Sequence, residues 1–444
     1  MNYYTLRSPY RPLVVGVDNL VPISNGSKVT YINFDNAATT PPLVSVMEAI
    51  NTFSSWYSSI HRGEGYKSRF SSKVYEESRN IILNFVKADV EKCTAIYVKN
   101  ATEGINKLAF RLCDNEKGST ILSTDMEHHS NDLPWRGKYN IDYVKLDRDG
   151  RLSLFDLEEK LKYYNGCVKL VTVSGASNVT GFLNPIHEIA KLTHKYNSKL
   201  LVDGAQLVPH LSVDMKPMDS SEHIDFLVFS AHKMYAPFGI GVLIGPKHVF
   251  ELGDPDYKGG GTVDLVTHEN VIWAQPPEKE EAGTPNVMGV VALLAAIKSL
   301  DSIGMNNLEA YEKTLTEYAL LKLKSLEEVE IYGSIDSTAG RVGIIPFNVK
   351  GIHHSILSKI LSEEAGIGVR SGCFCAHPYI QKLLNFTKED IAKFSADLSL
   401  PRPGMVRVSF GIYNDFGEVD YFINSLKKII KNKDYFNKKY ENKF

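Results

Sequence analysis

Between residues 93 and 245, short apolar runs rich in β-branched side chains alternate with stretches whose apolar positions recur at helical spacing. The runs predict strands over Ala95–Lys99, Thr120–Ser123, Tyr143–Leu146, Lys169–Ser174, Lys199–Val202, Phe226–Phe229 and Gly241–Ile244. Amphipathic helices are predicted between them, among them Leu154–Tyr163 and Pro185–Tyr196. Continuously apolar strands alternating with helices indicate an α/β domain whose mostly parallel, seven-stranded sheet is covered on both faces. From Gly253 to Asn286 the pattern is lost in a stretch rich in glycine and proline, whose length indicates a functional or a disordered loop. Helices are predicted over Val287–Ile303 and Leu308–Leu326. A smaller α+β unit follows, with strands near Val342–Val349 and Met405–Phe410 and helices near His353–Ala365 and Glu418–Ile430. The expected division is an N-terminal extension (1–30), a large domain (31–285), and linker helices with a small C-terminal domain (286–444). The N-terminal segment, for which no element is predicted, is expected to contribute to the small domain.

A chain of 444 residues is too long for one compact core, which agrees with this division. Its composition, 43% hydrophobic and 23% charged, is that of an ordinary globular protein. A net charge of −2 gives no reason to expect nucleic acid as a partner. The lysines of the tail (Lys427, Lys428, Lys431, Lys433, Lys438, Lys439) are interleaved with Asp434 and Glu441 and read as a solvated helix end. Five cysteines without a framework spacing point to a reducing compartment. The first residues lack the basic-then-apolar build of a secretory signal, and no apolar stretch approaches a membrane span. A cytoplasmic enzyme with no membrane association is expected.

The chemistry-bearing residues gather where predicted strands end. Lys199-Leu-Leu-Val runs into Asp203-Gly-Ala-Gln206, and Phe226-Leu-Val-Phe runs into Ser230-Ala-His232-Lys233. An acid before glycine is commonly a turn or helix cap. A lysine directly after an apolar strand is harder to explain, because burying an ammonium is costly unless its pKa falls or it becomes an imine. Together the two residues are what pyridoxal phosphate (PLP) requires: a lysine for the Schiff base and a carboxylate that keeps the pyridine nitrogen protonated. Ser230 and His232 can both donate to a phosphate.

Asn100-Ala-Thr102-Glu103 has the spacing of a capping box and opens a helix, either a plain cap or a phosphate cradle. His128, in Glu127-His-His-Ser130, can stack on an aromatic cofactor or be a structural histidine. Asn178, in Ser177-Asn-Val-Thr-Gly181, fits a simple turn. In the glycine-rich loop Gly368-Val-Arg370-Ser-Gly-Cys373-Phe-Cys375-Ala-His377-Pro the two cysteines are either inert small hydrophobes or, beside an arginine, accessible and partly ionised thiols. Cys373, Cys375 and His377 lack a fourth ligand and the usual spacing, so no metal is assigned to them. Arg407, a cation on an apolar strand, either completes a buried ion pair or grips a carboxylate.

Taken in order, these segments resemble the class V family of fold-type I PLP enzymes, most closely its cysteine desulfurase and selenocysteine lyase branch. Further matching segments are Tyr31-Ile-Asn-Phe-Asp-Asn-Ala-Ala38, His61-Arg-Gly63, Gly259-Gly-Gly-Thr262, Glu281-Ala-Gly-Thr-Pro-Asn286 and Gly411-Ile-Tyr-Asn414, so the resemblance covers most of the chain. It implies that Lys233 carries PLP, Asp203 pairs with the ring nitrogen, Gln206 bonds the ring hydroxyl oxygen and His128 stacks over the ring. Thr102, Ser230 and His232 would hold the phosphate, joined by Thr284 from the second subunit of a homodimer. Asn178, Arg407 and His61 would bind the amino-acid substrate, and Cys375 would accept its sulfur. Three departures are visible. Ala101 stands where many relatives have a second threonine, Cys373 adds a thiol, and the stretch from Cys375 to Arg407 is longer than in compact bacterial desulfurases.

The implied activity is removal of sulfur from L-cysteine to give alanine and a persulfide on Cys375, which a protein acceptor then takes. The thiol requires a low pKa, for which Arg370 and His377 are the nearby candidates in sequence. The same residues would also serve a selenocysteine lyase, a cystine lyase, a kynureninase-like enzyme or an epimerase. A non-catalytic sulfur-relay scaffold is the reading of another class, against which the retained Lys233, Asp203 and Arg407 speak.

Overall fold

The computed structural model describes residues 7–113, 119–333, 340–397, 399–400 and 402–441, and in it the seven apolar runs pair into one sheet. Across the sheet the order is Cys93–Val98, Gly241–Pro246, Phe226–Ser230, Lys199–Asp203, Val168–Ser174, Thr120–Thr124, Asn140–Val144. All neighbours are parallel except Gly241–Pro246, which is antiparallel to both strands beside it. The reason is connection length. The short segment 231–240 after Phe226–Ser230 cannot house the crossover a parallel return needs.

Cys93–Val98, Gly241–Pro246 and Phe226–Ser230 are buried along their whole length, as their apolar runs require. The expected strand at Tyr143–Leu146 lies instead at Asn140–Val144, on the sheet edge. There Asn140 and Asp142 are tolerated, and parallel pairing with Thr120–Thr124 sets the register rather than the apolar maximum.

Gly241 seats the site's first helix, Ala101–Arg111. A Cβ there would lie 2.8 Å from the Cα of Asn100 and from the Phe229 carbonyl oxygen, so only glycine lets the chain pass so closely.

The C-terminal residues build a four-stranded antiparallel sheet in the order Val329–Ile331, Ile344–Val349, Met405–Ser409, Arg370–Gly372. Helices His354–Ala365 and Phe416–Lys431 close a second core around Phe34, Phe347, Phe410 and Phe422. Ile32–Asn33 pairs in parallel with Ile367–Gly368 as a separate two-stranded sheet, which ties the segment before Phe34 to the C-terminal unit. Residues 7–30, for which no element was predicted, contain a hairpin of Leu20–Pro22 with Lys28–Thr30. The buried Arg11 bonds Glu418 at 2.7 Å and Asp18 at 3.0 Å.

The irregular stretch 253–286 holds a largely exposed hairpin, Val263–Val266 with Val271–Trp273, and then enters the core at Glu281. Glu281 accepts from Arg79 at 2.8 and 2.9 Å, from the Tyr97 amide at 2.7 Å and from the Tyr75 hydroxyl at 2.6 Å. The long segment between Cys375 and Arg407 forms helices His377–Leu383 and Lys388–Ala396. Among the described residues no single helix is long and apolar enough to cross a membrane. The consecutive helices Val287–Ile303 and Met305–Lys324, bent by 77°, would pass by length and composition together, and the apolar residues of the first are mostly buried in the core.

Candidate active site

Because six strands run the same way, the segments after Val98, Thr124, Ser174, Asp203 and Ser230 all emerge at one edge of the sheet. A cavity of about 390 Å³ opens there, and Thr102, His128, Asn178, Asp203, Gln206, Ser230, His232, Lys233, Cys375 and Arg407 all line it. Ten residues scattered over some three hundred positions of sequence thus share one wall. Thr284 and His61 do not join them. They lie in a separate groove of about 430 Å³ with Gly260, Gly261 and Glu278.

Lys233 ends a single helical turn, Ala231–Lys233, that the Phe226–Ser230 strand feeds directly. Burial lowers its amine to about 8, with Asp203 opposing the fall, Arg407 adding to it and Cys375 opposing it. The buried Asp203 carboxyl is raised by desolvation, opposed by the Ala205 amide at 3.0 Å and by Lys233. One turn on, the Gln206 amide donates to the Ala37 carbonyl at 2.6 Å, which leaves its own buried oxygen without a partner.

His128 accepts from the Ser130 amide through Nδ1 at 3.0 Å, so a neutral ring carries its proton on Nε2. Burial, then the charges of Lys233, His129 and Arg407, lower its pKa to about 3, and the ring is neutral at physiological pH. His232 is lowered to about 4, again chiefly by burial and then by Lys233.

At the other end of the cavity Asn100 caps the helix Ala101–Arg111 by accepting from the Glu103 amide at 3.0 Å. The return contact expected of a capping box goes elsewhere: Glu103 accepts from the Lys99 amide rather than from Asn100. The Ala101 amide donates to the Ser230 hydroxyl at 2.8 Å, and the hydroxyls of Thr102 and Ser130 lie 2.6 Å apart. Amides at a helix start, three hydroxyls and an imidazole form a donor set suited to an anion.

Cys375 sits on a tight loop in which Phe374 and Cys375 adopt φ of +49° and +55° consecutively, after Gly372 at +113°. Such a loop persists only when its surroundings hold it. Here Asn178 donates its amide to the Phe374 carbonyl at 2.7 Å, and the His129 amide donates to the Cys375 carbonyl at 2.7 Å. Cys375 is exposed, whereas Cys373 is half-buried, donates to the Pro403 carbonyl at 3.3 Å and has its thiol pKa raised by burial. Arg370 lines the cavity but pairs with Asp35 at 3.5 Å, and His377 packs its ring 4.8 Å from that of His129.

Arg407 is fully buried, donating to Asp35 at 3.1 Å and to the Asn178 carbonyl at 2.8 Å, with Phe374 beneath its guanidinium at 4.9 Å. Its Nε has no partner, and desolvation lowers its pKa to about 10.

Three contributors had no role in the sequence reading. Asp35 neutralises Arg407, and its only sign was its place in the Asn-Phe-Asp-Asn run. Glu127 lies beneath the site, accepting from Thr124 at 2.6 Å, Asn131 at 2.7 Å and the Ser174 hydroxyl at 2.7 Å, and burial pushes it up to about 7 against those donors. Phe374 supplies both a ring and a carbonyl. None announces itself locally, because each acts across the sheet.

The profile of the family described as aminotransferase class-V matches residues 32–422. The chain belongs to this family. Among curated members, the cysteine desulfurase of Haloferax volcanii is 34% identical over 93% of this chain and 92% of its own length. That of Wigglesworthia glossinidia brevipalpis is 34% identical over 92% of this chain and 94% of its own. Among solved structures, the apo cysteine desulfurase of Thermococcus onnurineus NA1 covers 90% of this chain and 95% of its own, at 33% identity and a TM-score of 0.81. An Escherichia coli cysteine desulfurase in an S-sulfonic acid form covers the same shares at 27% identity and a TM-score of 0.76. The mostly parallel seven-stranded sheet with its covering helices is consistent with a fold-type I architecture.

Proposed function

We propose that the chain is a PLP-dependent cysteine desulfurase that takes sulfur from L-cysteine, releases L-alanine and carries the sulfur on Cys375. The observation that carries this reading is that Lys233, Asp203 and Cys375, from three distant segments, line one cavity. The cavity suits the cofactor: a buried lysine with a lowered pKa, a buried acid, the unpartnered Gln206 oxygen and an anion-binding helix start are the groups it needs. Lys233 would carry it, Asp203 would face the ring nitrogen, His128 the ring and Gln206 the ring hydroxyl. Thr102, Ser230 and His232 would hold the phosphate.

Bound there, PLP supplies an electron sink for charge at the substrate α-carbon. With its pKa near 8, Lys233 is partly unprotonated at neutral pH and can take the α-proton. Arg407 stays charged and attracts the substrate carboxylate, for which its free Nε is available, and Asn178 shapes the wall beside it. The Cys375 thiolate attacks the substrate sulfur, forming the S–S bond as the Cβ–S bond breaks and its electron pair remains with the carbon skeleton. An exposed Cys375 can then pass the sulfur to an acceptor protein. We further assign a homodimer, in which Thr284 and His61 serve the partner's site, since neither lines the cavity of its own chain.

The test is incubation with L-cysteine followed by mass spectrometry of the peptide spanning Cys373–Cys375. An added sulfur on Cys375, with alanine released in step, is expected. Cys375→Ser should abolish both while the visible absorbance of the bound cofactor remains. Full turnover by that variant, or borohydride labelling at a lysine other than Lys233, refutes the assignment. Parallel assays with selenocysteine and cystine separate the neighbouring lyase activities.

A further inference from the structure

At the opposite edge of the central sheet, where strands begin, two histidines converge on one acid. Asp225 immediately precedes the strand Phe226–Ser230, His223 lies two residues before it, and His194 comes from the last turn of the helix Ile186–Lys195. Nε2 of His194 is 2.8 Å from one Asp225 oxygen, and Nε2 of His223 is 3.4 Å from the other. The imidazoles stack with centroids 4.0 Å apart and planes 16° apart. Asp225 is buried, while both histidine side chains keep one edge open to water.

The protonation pattern is fixed by the other face of each ring. Nδ1 of His194 lies 2.9 Å from the Ser221 carbonyl, and Nδ1 of His223 lies 2.6 Å from the Ser220 carbonyl. A carbonyl oxygen only accepts, so both Nδ1 atoms are donors. Nε2 of a neutral ring is then a bare lone pair, and both are directed at a carboxylate. Each Nε2 faces its own Asp225 oxygen, and the contact is completed either by a proton on the ring, giving an imidazolium–carboxylate pair, or by a metal cation shared among the three ligands. Backbone carbonyls that fix the tautomer and orientation of imidazoles in this way are the usual outer support of metal-binding histidines. The Leu200 amide, 2.8 Å from Asp225, orients the carboxylate in the same manner. Among the described residues a lysine also reaches the acid: Lys199 lies 3.5 Å from Asp225, and its side chain is 39% exposed.

We propose that His194, His223 and Asp225 form a binding site for a late first-row divalent cation of the zinc class. The three ligand atoms all lie within 4.8 Å of one another. Tetrahedral ligands at about 2.0–2.1 Å from zinc are separated by about 3.3 Å, so binding would draw the three ligand atoms closer together. Two nitrogens and one carboxylate favour zinc, cobalt, nickel or copper over magnesium or calcium, and water completes the shell. The site is remote from the catalytic cavity. The strand Phe226–Ser230 separates Asp225 from Lys233, which at about 3.3 Å per residue sets them roughly 15 Å or more apart. The bound ion would tie helix Ile186–Lys195 to the segment 220–225.

The experiment uses the full-length holoenzyme, stripped with a chelator, desalted, and titrated with zinc by calorimetry and with cobalt by visible spectroscopy. One ion per chain is expected, with cobalt d–d bands but no near-ultraviolet thiolate charge-transfer band. His194→Gln and His223→Gln should each weaken binding at least tenfold and remove the zinc-dependent rise in melting temperature. Asp225→Asn, nearly isosteric, should do the same, and Cys373→Ser should leave binding unchanged. Absence of stoichiometric binding overturns the proposal. So does binding that survives both glutamine substitutions, or a cobalt spectrum dominated by thiolate ligation.

Discussion

Lys233→Met is expected to stabilise the cofactor-free protein near neutral pH while ending turnover. The Lys233 amine is held at about 8 against an ordinary 10.5, chiefly because burial disfavours its charge. At about 1.4 kcal/mol per pKa unit, keeping it protonated in the folded chain costs about 3 kcal/mol. Methionine retains the unbranched stem, fills most of the same volume and carries no charge. Two neighbours set the balance: Arg407 is relieved of a like charge, whereas Asp203 loses the cation that favours its ionised form. Both interactions are already contained in the lowered Lys233 value, and imperfect packing of methionine offsets part of the gain, so a net stabilisation of about 1–3 kcal/mol is expected.

The pH dependence carries a definite sign. Below about pH 8 both folded and unfolded chains bind the proton, and the cost is present in full. Between about 8 and 10.5 the unfolded chain binds more protons than the folded one, so wild-type stability rises with pH and the gap to the variant closes. Urea unfolding of both cofactor-free proteins at about pH 7 and about pH 9.5 reads this directly. Equal midpoints at the lower pH, or a gap that widens at the higher one, would refute the reasoning.

Other perturbations follow from the same geometry. Glu281→Gln leaves the buried Arg79 with only the longer, partly exposed Glu76 contact at 3.5 Å and should cost about 3 kcal/mol in chemical unfolding. Asn178→Ala removes the donor to the Phe374 carbonyl, loosening the cysteine loop by about 1 kcal/mol. Faster amide exchange at residues 374–376 with a larger effect on kcat than on KM is the expected result. Because His128 and His232 are lowered to about 3 and about 4, neither should titrate between about pH 5 and 7. An acid limb of kcat/KM near 6.5 that vanishes in His128→Asn would contradict this.

Much of the chain's organisation was legible one segment at a time. The apolar runs marked all seven strands of the central sheet, because a strand buried on both faces has no polar face to show. Lys233 stood out for a related reason, since a cation at the end of such a run is costly to bury, whereas Asp203 before glycine fitted a plain turn or cap equally well. Boundaries failed where exposure mixed the pattern, as at the edge strand Asn140–Val144, and where the stretch after Gly253 concealed a hairpin.

What sequence alone determined, then, is which segments bury themselves and which residue types stand at their ends, since both follow from local composition and period. Only the tertiary structure decided what those residues do to one another. That Asp35 neutralises Arg407, that Asn178 holds the Phe374 carbonyl, and that burial brings Lys233 to about 8 are consequences of side chains meeting across hundreds of positions. Desolvation and hydrogen-bond geometry depend on the whole enclosing surface, and no window of neighbouring residues contains it.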